Sequence, residues 1–126
     1  MPTQRNLEIW RGSDPLEIWR AYDASGNPID FTGYTLRFVV RDRTNTVVIA
    51  NNLLLESAMS ARAISRANAV WGSTNGCISV EMTRAQSLLL EIGASSKYEI
   101  EPRISGIQEP PIFFGVVVVK GGVNDE

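Results

Sequence analysis

A chain of 126 residues, 44% hydrophobic and 21% charged, fits one folded domain that buries about two-thirds of its unfolded surface. Its net charge of −2 and pI near 5.2 argue against nucleic-acid binding, which needs a concentrated positive patch to release counterions. The absence of histidine and a single cysteine, Cys77, exclude Ser-His-Asp and Cys-His catalysis, an intrachain disulfide, and zinc sites built from several cysteines or from histidine.

No charged-then-apolar leader opens the chain, and no apolar run approaches the roughly 20 residues that span a bilayer. The expectation is a soluble protein made in a reducing cytosol, without membrane contact. Residues 1–126 read as one domain, with 1–6 and 121–126 as flexible arms because they carry little core-forming pattern. Ten of the twelve basic residues are arginine, a bias that suits desolvated, bidentate contacts at interfaces.

In chain order, the first signal is a duplication: Leu7-Glu8-Ile9-Trp10-Arg11 recurs as Leu16-Glu17-Ile18-Trp19-Arg20. Each copy alternates as a strand does, and Gly12-Ser13-Asp14-Pro15 between them is a turn signal. Either Leu/Ile or Glu/Trp/Ala faces the core. Tyr22 continues the Leu16 and Ile18 face, so that face is taken as the inner one, which leaves Trp10 and Trp19 on the other, either partly exposed or packed under a loop. After a turn over 23–30, Tyr34, Leu36, Phe38 and Val40 share one face of a strand, and Thr35, Arg37, Val39 and Arg41 the other. Arg43-Thr44-Asn45 turns into Thr46-Val47-Val48-Ile49, a β-branched run that pairs back as a hairpin. The segment 53–69 reads as irregular, with one short strand or one helical turn.

Order returns at Gly76. Ile78, Val80 and Met82 point one way in a strand, and Cys77, Ser79 and Glu81 the other. Thr83 is an N-cap with Gln86 at the capping-box position, Leu88 to Leu90 supply an apolar contact, and Gly93 ends the short helix. Lys97 to Ile104 alternates, with Tyr98, Ile100 and Ile104 inward and Lys97, Glu99, Glu101 and Arg103 outward. Pro102 cannot donate to a ladder, so it marks an edge or a bulge. The unbroken apolar run from Ile112 to Lys120 suits a strand covered on both faces. Together these elements predict an all-β, antiparallel sandwich of seven or eight strands with one short helix, near the size of an immunoglobulin-like domain.

No acid, base and nucleophile converge, so the chain does not read as an enzyme, and no cofactor or metal is implied. Glu8/Glu17 and Glu99/Glu101 lie on solvent-facing strand positions beside Arg or Lys, which is the pattern of a solvated sheet. Asp23 to Asn27 with Asp30 lacks the terminal glutamate of a calcium loop and reads as a hairpin turn. Cys77 has no partner base and reads as a small packing residue. Contact with other chains is the reading that remains. Its candidate anchors are Trp10, Arg11 and Trp19 from the duplicated strands, Trp71 in a loop over 68–75, and Phe113 in Pro110-Pro111-Ile112-Phe113-Phe114, where both phenylalanines cannot enter one core.

The stretch Gly26-Asn27-Pro28-Ile29-Asp30-Phe31-Thr32-Gly33-Tyr34, with the alternating strand ending Val40-Arg41-Asp42, resembles the G-x-P-x-D-L-T-G-Y/A pattern of phage tail proteins. Those proteins continue with a G-x-I-x-V-x-M/L-T strand, a leucine-bearing helix and a Y-x-I-E strand, matched here by Gly76 to Thr83, Arg84 to Ile92 and Tyr98 to Glu101. They close on G-x-V-x-V, matched by Gly115-Val116-Val117-Val118-Val119. The chain is thus similar, over about 7–120, to the N-terminal immunoglobulin-like domain of upper-baseplate and tail-fibre-attachment proteins of tailed phages. It departs from the pattern in a longer insertion at 53–75 and in stopping after the sandwich without a fibre, which favours an adaptor over a receptor binder. The resemblance implies a virion structural protein, made in the bacterial cytoplasm, that assembles in many copies or as a homo-oligomer with other virion proteins. Alternatives are a capsid decoration protein and, in another class, a carbohydrate-binding adhesion module in which a tryptophan stacks on a sugar face.

Overall fold

Period-two alternation makes 34–41 a strand, and that strand lies inside the larger sheet with a neighbour on each edge. The structure, a computed structural model, describes residues 3–53 and 76–121. Its strands are β1 (Thr3–Gln4), β2 (Leu7–Trp10), β3 (Leu16–Arg20), β4 (Tyr34–Arg41), β5 (Val47–Leu53), β6 (Cys77–Glu81), β7 (Gly93–Ile104), β8 (Ile107–Gln108) and β9 (Phe113–Lys120), and its helix is α1 (Arg84–Ser87). The larger sheet runs β1-β9-β7-β4-β5, with β2 also on β9 and β8 on β7; β3 and β6 form the second sheet. The orders β9-β7-β4-β5 and β3-β6 are those of a variable-type immunoglobulin sandwich. The expected all-β sandwich therefore forms, with one short helix among the described residues. Nine strands are described rather than seven or eight because β1 and β8, each two residues long, were not legible as strands.

The ladder is not wholly antiparallel. β1 and β2 both pair with β9 in parallel and at one constant register, Thr3 opposite Phe113 through Trp10 opposite Lys120. They act as one edge strand with a break at Arg5 and Asn6. The backbone bonds of that break are kept: Arg5 N–H donates to the Phe114 carbonyl (2.8 Å), and Asn6 Oδ1 accepts from Val116 N–H (3.1 Å). This corrects the expectation of a free arm over 1–6, since residues 3–6 are tied to β9 even though their composition carries little core pattern. Residues 122–126 lie outside the described residues.

Turn chemistry fixes the hairpins. The Asp42 carboxylate accepts from the backbone N–H groups of Thr44 and Thr46 (2.9 and 3.0 Å) and from the Thr44 hydroxyl (2.6 Å). Those bonds, with that to the Thr44 side chain foremost, hold the carboxyl below the usual carboxylate range. Asn45 takes φ +66°, which closes β4 onto β5 as expected. At 23–30 the Asp23 carboxylate accepts from Ser25 and Asn27 N–H (2.9 and 3.0 Å), an Asx-type turn. Thr83 and Gln86 make the reciprocal capping box, each side chain bonding the other's backbone N–H (3.1 and 3.0 Å). The helix ends at Ser87, so Gly93 does not stop it. Gly93 opens β7 instead, at φ +116°.

β7 is not an edge strand: it lies between β4 and β9. Pro102 is accommodated because its ladder with β9 stops at Ile100 opposite Phe113, while the Pro102 carbonyl still accepts from Glu109 N–H (2.9 Å). Glu101 sits opposite Arg37 on β4 and, contrary to expectation, is buried there.

The two sheets meet through aromatic rings. The Trp19 ring centroid on β3 lies 5.1 Å from that of Phe113 and 5.9 Å from that of Tyr98, and Tyr98 lies 5.8 Å from Phe38. Each such ring hides roughly 150–250 Å². In antibody domains this layer holds a disulfide and a tryptophan; here four aromatics fill it. The Tyr98 hydroxyl donates to the Arg5 carbonyl, and burial pushes its pKa well above the ordinary tyrosine value. Cys77 is fully buried, and burial likewise raises its thiol pKa. The segment read as irregular, from 54 onward to 69, lies outside the described residues.

Candidate interaction surface

The two copies of Leu-Glu-Ile-Trp-Arg end in opposite environments because they enter different sheets. In β2, Leu7 and Ile9 face the core and Trp10 is 55% exposed. In β3, Trp19 faces the core at 1% exposure, Ala21 follows it inward, and Tyr22 is exposed. The inner face of the second copy is therefore Glu/Trp/Ala, the reverse of the Leu/Ile assignment made from Tyr22. Two polar partners make the tryptophan the better core residue. Its Nε1–H donates to Glu17 Oε1 (2.8 Å), and the Arg5 guanidinium carbon sits 4.4 Å from the ring centroid.

Arg11 follows Trp10 but serves the fold. Its Nε and Nη2 donate to the carbonyls of Leu90 (3.1 Å) and Leu88 (3.0 Å), which satisfies groups left open where α1 ends. Ser87 Oγ locks the same corner, accepting from Gly12 N–H (3.1 Å) and donating to the Ser13 carbonyl (2.8 Å). Phe113 is 3% exposed and belongs to the core; its neighbour Phe114, at 37%, faces out. Trp71 lies outside the described residues. Of the five candidate anchors, Trp10 alone among the described ones presents its ring to solvent.

Cross-strand partners share a face, so the registers define what surrounds Trp10. Glu8 pairs with Val118 and Trp10 with Lys120; Phe114 pairs with Glu99 and Val116 with Lys97; Val39 lies opposite Glu99. The outer face of the larger sheet thus carries an apolar line of Phe114, Val116 and Val118 that ends at Trp10, bordered by charge. Lys120 Nζ lies 2.6 Å from Glu8 Oε1 and 5.7 Å from the Trp10 ring centroid. Arg41 and Glu99 form a looser pair (3.8 Å). Between β1, β9, β7 and β4 this face sinks into a hollow of about 280 Å³ lined by Gln4, Arg41, Lys97, Glu99, Phe114 and Val116.

The expectation that 112–120 is covered on both faces is corrected: β9 has neighbours on both edges but only one face in the core. A signal for its phase was present. Lys120 ends the run on the even-numbered face, so Phe114, Val116 and Val118 had to share the wet side with it.

No family model matches the chain, and no curated protein matches it in sequence. Among solved structures, it is similar to the N-terminal domain of phage TP901-1 ORF48, with a TM-score of 0.59 and 11% identity over 95% of this chain and 90% of that one. A chain from a complex of ICOS with ICOS-L and an anti-ICOS-L VNAR domain aligns at a TM-score of 0.41 and 13% identity, over 96% of this chain and 56% of that one. The first likeness establishes the fold; the second is too loose to carry an argument.

Proposed function

We propose that this chain is a structural subunit of a bacteriophage virion, a non-enzymatic adaptor that joins the tail, baseplate or fibre-attachment region and binds neighbouring virion proteins in many copies. The observation that carries this reading is the likeness, along nearly the whole of both chains, to the N-terminal domain of a phage protein. The outer sheet face supports it. A bare tryptophan beside an apolar line, with ion pairs at its border, has the aromatic centre and charged rim of a protein interface.

Complementing a phage that lacks the gene with the Trp10→Ala/Phe114→Ala double variant tests the face. Both rings are exposed, so the folded state is expected to keep its thermal midpoint within a few degrees. Incorporation into particles should drop about tenfold or more, as for loss of a central interface anchor. Normal incorporation of a folded variant would remove this face from the assembly. An open tryptophan also suits a sugar ring, so glycan-array binding that Trp10→Ala abolishes would favour the adhesion module instead.

A further inference from the structure

A second concave site lies at one end of the sandwich, away from Trp10, between the loop joining β3 to β4 and the loop joining β8 to β9. Its volume is about 340 Å³. Phe31 and Tyr34 meet edge to face in it, with ring centroids 6.2 Å apart, and Pro110 and Pro111 supply rigid apolar wall. Its charged lining residues are Asp23 and Glu109, both acidic; no lysine or arginine is among the described residues that line it.

These acids are set in place. Asp23 uses Oδ1 to hold its own turn, and Glu109 Oε1 accepts from the Tyr34 hydroxyl (3.0 Å) across a separation of 75 residues. That bond, then burial and the Glu109 charge, raise the Tyr34 pKa above its ordinary value. An aromatic and proline floor under two carboxylates complements one kind of side chain: a cation with an apolar or planar body. Arginine fits best, since its guanidinium stacks on rings and takes carboxylates in bidentate fashion. A volume near the lower limit for a ligand pocket suits one or two residues of a peptide better than a large metabolite.

We propose that this groove docks a basic segment of a partner protein, by burying an arginine side chain between Tyr34 and the 110–111 prolines with its charge against Asp23 and Glu109. The β3–β4 and β8–β9 loops form a second interface, chemically distinct from the outer sheet face. Its charge logic does not depend on a virion location, so it can hold or fail separately from the proposed assembly role.

The test is selection of randomised heptapeptides on the immobilised full chain, followed by titration of the selected peptides into wild type and into the Asp23→Asn/Glu109→Gln double variant. Both replacements keep an acceptor oxygen for the turn and for Tyr34, so the fold is retained; circular dichroism checks this. The expected result is enrichment of arginine-bearing peptides that shift the amide resonances of Glu109, Ile112 and the non-proline residues of 23–34, and bind the double variant about tenfold or more weakly. Enrichment of neutral or acidic peptides, equal binding to the double variant, or no selectable peptide would overturn the proposal. So would self-association of the wild type that the double variant abolishes, because a second copy would then be the occupant.

Discussion

Replacing Trp19 by alanine should lower the unfolding free energy by about 3–5 kcal/mol, a large fraction of the roughly 5–15 kcal/mol that holds a domain of this size together. Trp19 is the ring through which the small sheet meets the large one, in contact with both Phe113 and Tyr98. Truncation leaves a cavity between two sheets whose strands are pinned by their ladders and so close only partly. It also strands Glu17 without its indole donor and leaves Arg5 without the ring beneath it. The same change at Trp10, in an identical pentapeptide, should cost far less, about 0.5 kcal/mol, because more than half of that residue's surface is already in water. Urea denaturation of the two variants checks the pair. Equal losses, or a larger loss at Trp10, would contradict the assignment of the second copy to the core.

The second large effect is expected at Gly76, just before β6. Gly76 has φ +69°, and a Cβ there would stand 2.3 Å from the Ala21 carbonyl oxygen and 3.1 Å from Ile29 N. Those atoms are committed: Ala21 N–H donates to the Gly76 carbonyl (2.8 Å), and Ile29 N–H donates to the Ala21 carbonyl (3.0 Å). An alanine must therefore adopt a left-handed backbone and push apart the contact that anchors the β3–β4 loop. The sum is about 2–4 kcal/mol. Gly26 supplies the control, because it too has positive φ (+84°) but meets nothing within 4 Å. Gly26→Ala should cost only about 1–2 kcal/mol, the backbone term alone. Thermal midpoints that fall equally for both variants would show that the close approach at Gly76 does not matter.

Local pattern predicted local structure well. Alternation over 34–41, the β-branched return after Asn45 and the Thr83–Gln86 box each involve residues close in sequence, and each formed as read. The phase of 16–20 was the notable failure. Leu16 and Ile18 on one side and Trp19 and Ala21 on the other are both apolar pairs, so period alone could not choose between them. What decided it was tertiary: Glu17 and Arg5 supply the polar edge that a buried indole needs, and Tyr22 is left at the rim beside Arg20.

One of two adjacent phenylalanines in an extended strand must face out, and it is Phe114 that does so while the candidate anchor Phe113 enters the core. Arg11 looked like an interface residue by type, yet its hydrogen bonds go to carbonyls 77 and 79 positions away. The acidic groove was invisible for the same reason, since Tyr34 and Glu109 meet only once β4 and the β8–β9 loop are assembled. Surface features of this kind are set by topology, and sequence spacing does not encode them.

The measurement that bears most directly on the proposed role is the protein composition of purified phage particles, with antibody to this chain applied to the same particles under the electron microscope. The account predicts that the chain co-purifies at a fixed ratio to the tail proteins and that label gathers at the tail end. Its absence from intact particles would contradict the assembly role, and label spread over the head would replace a tail adaptor with a capsid decoration protein.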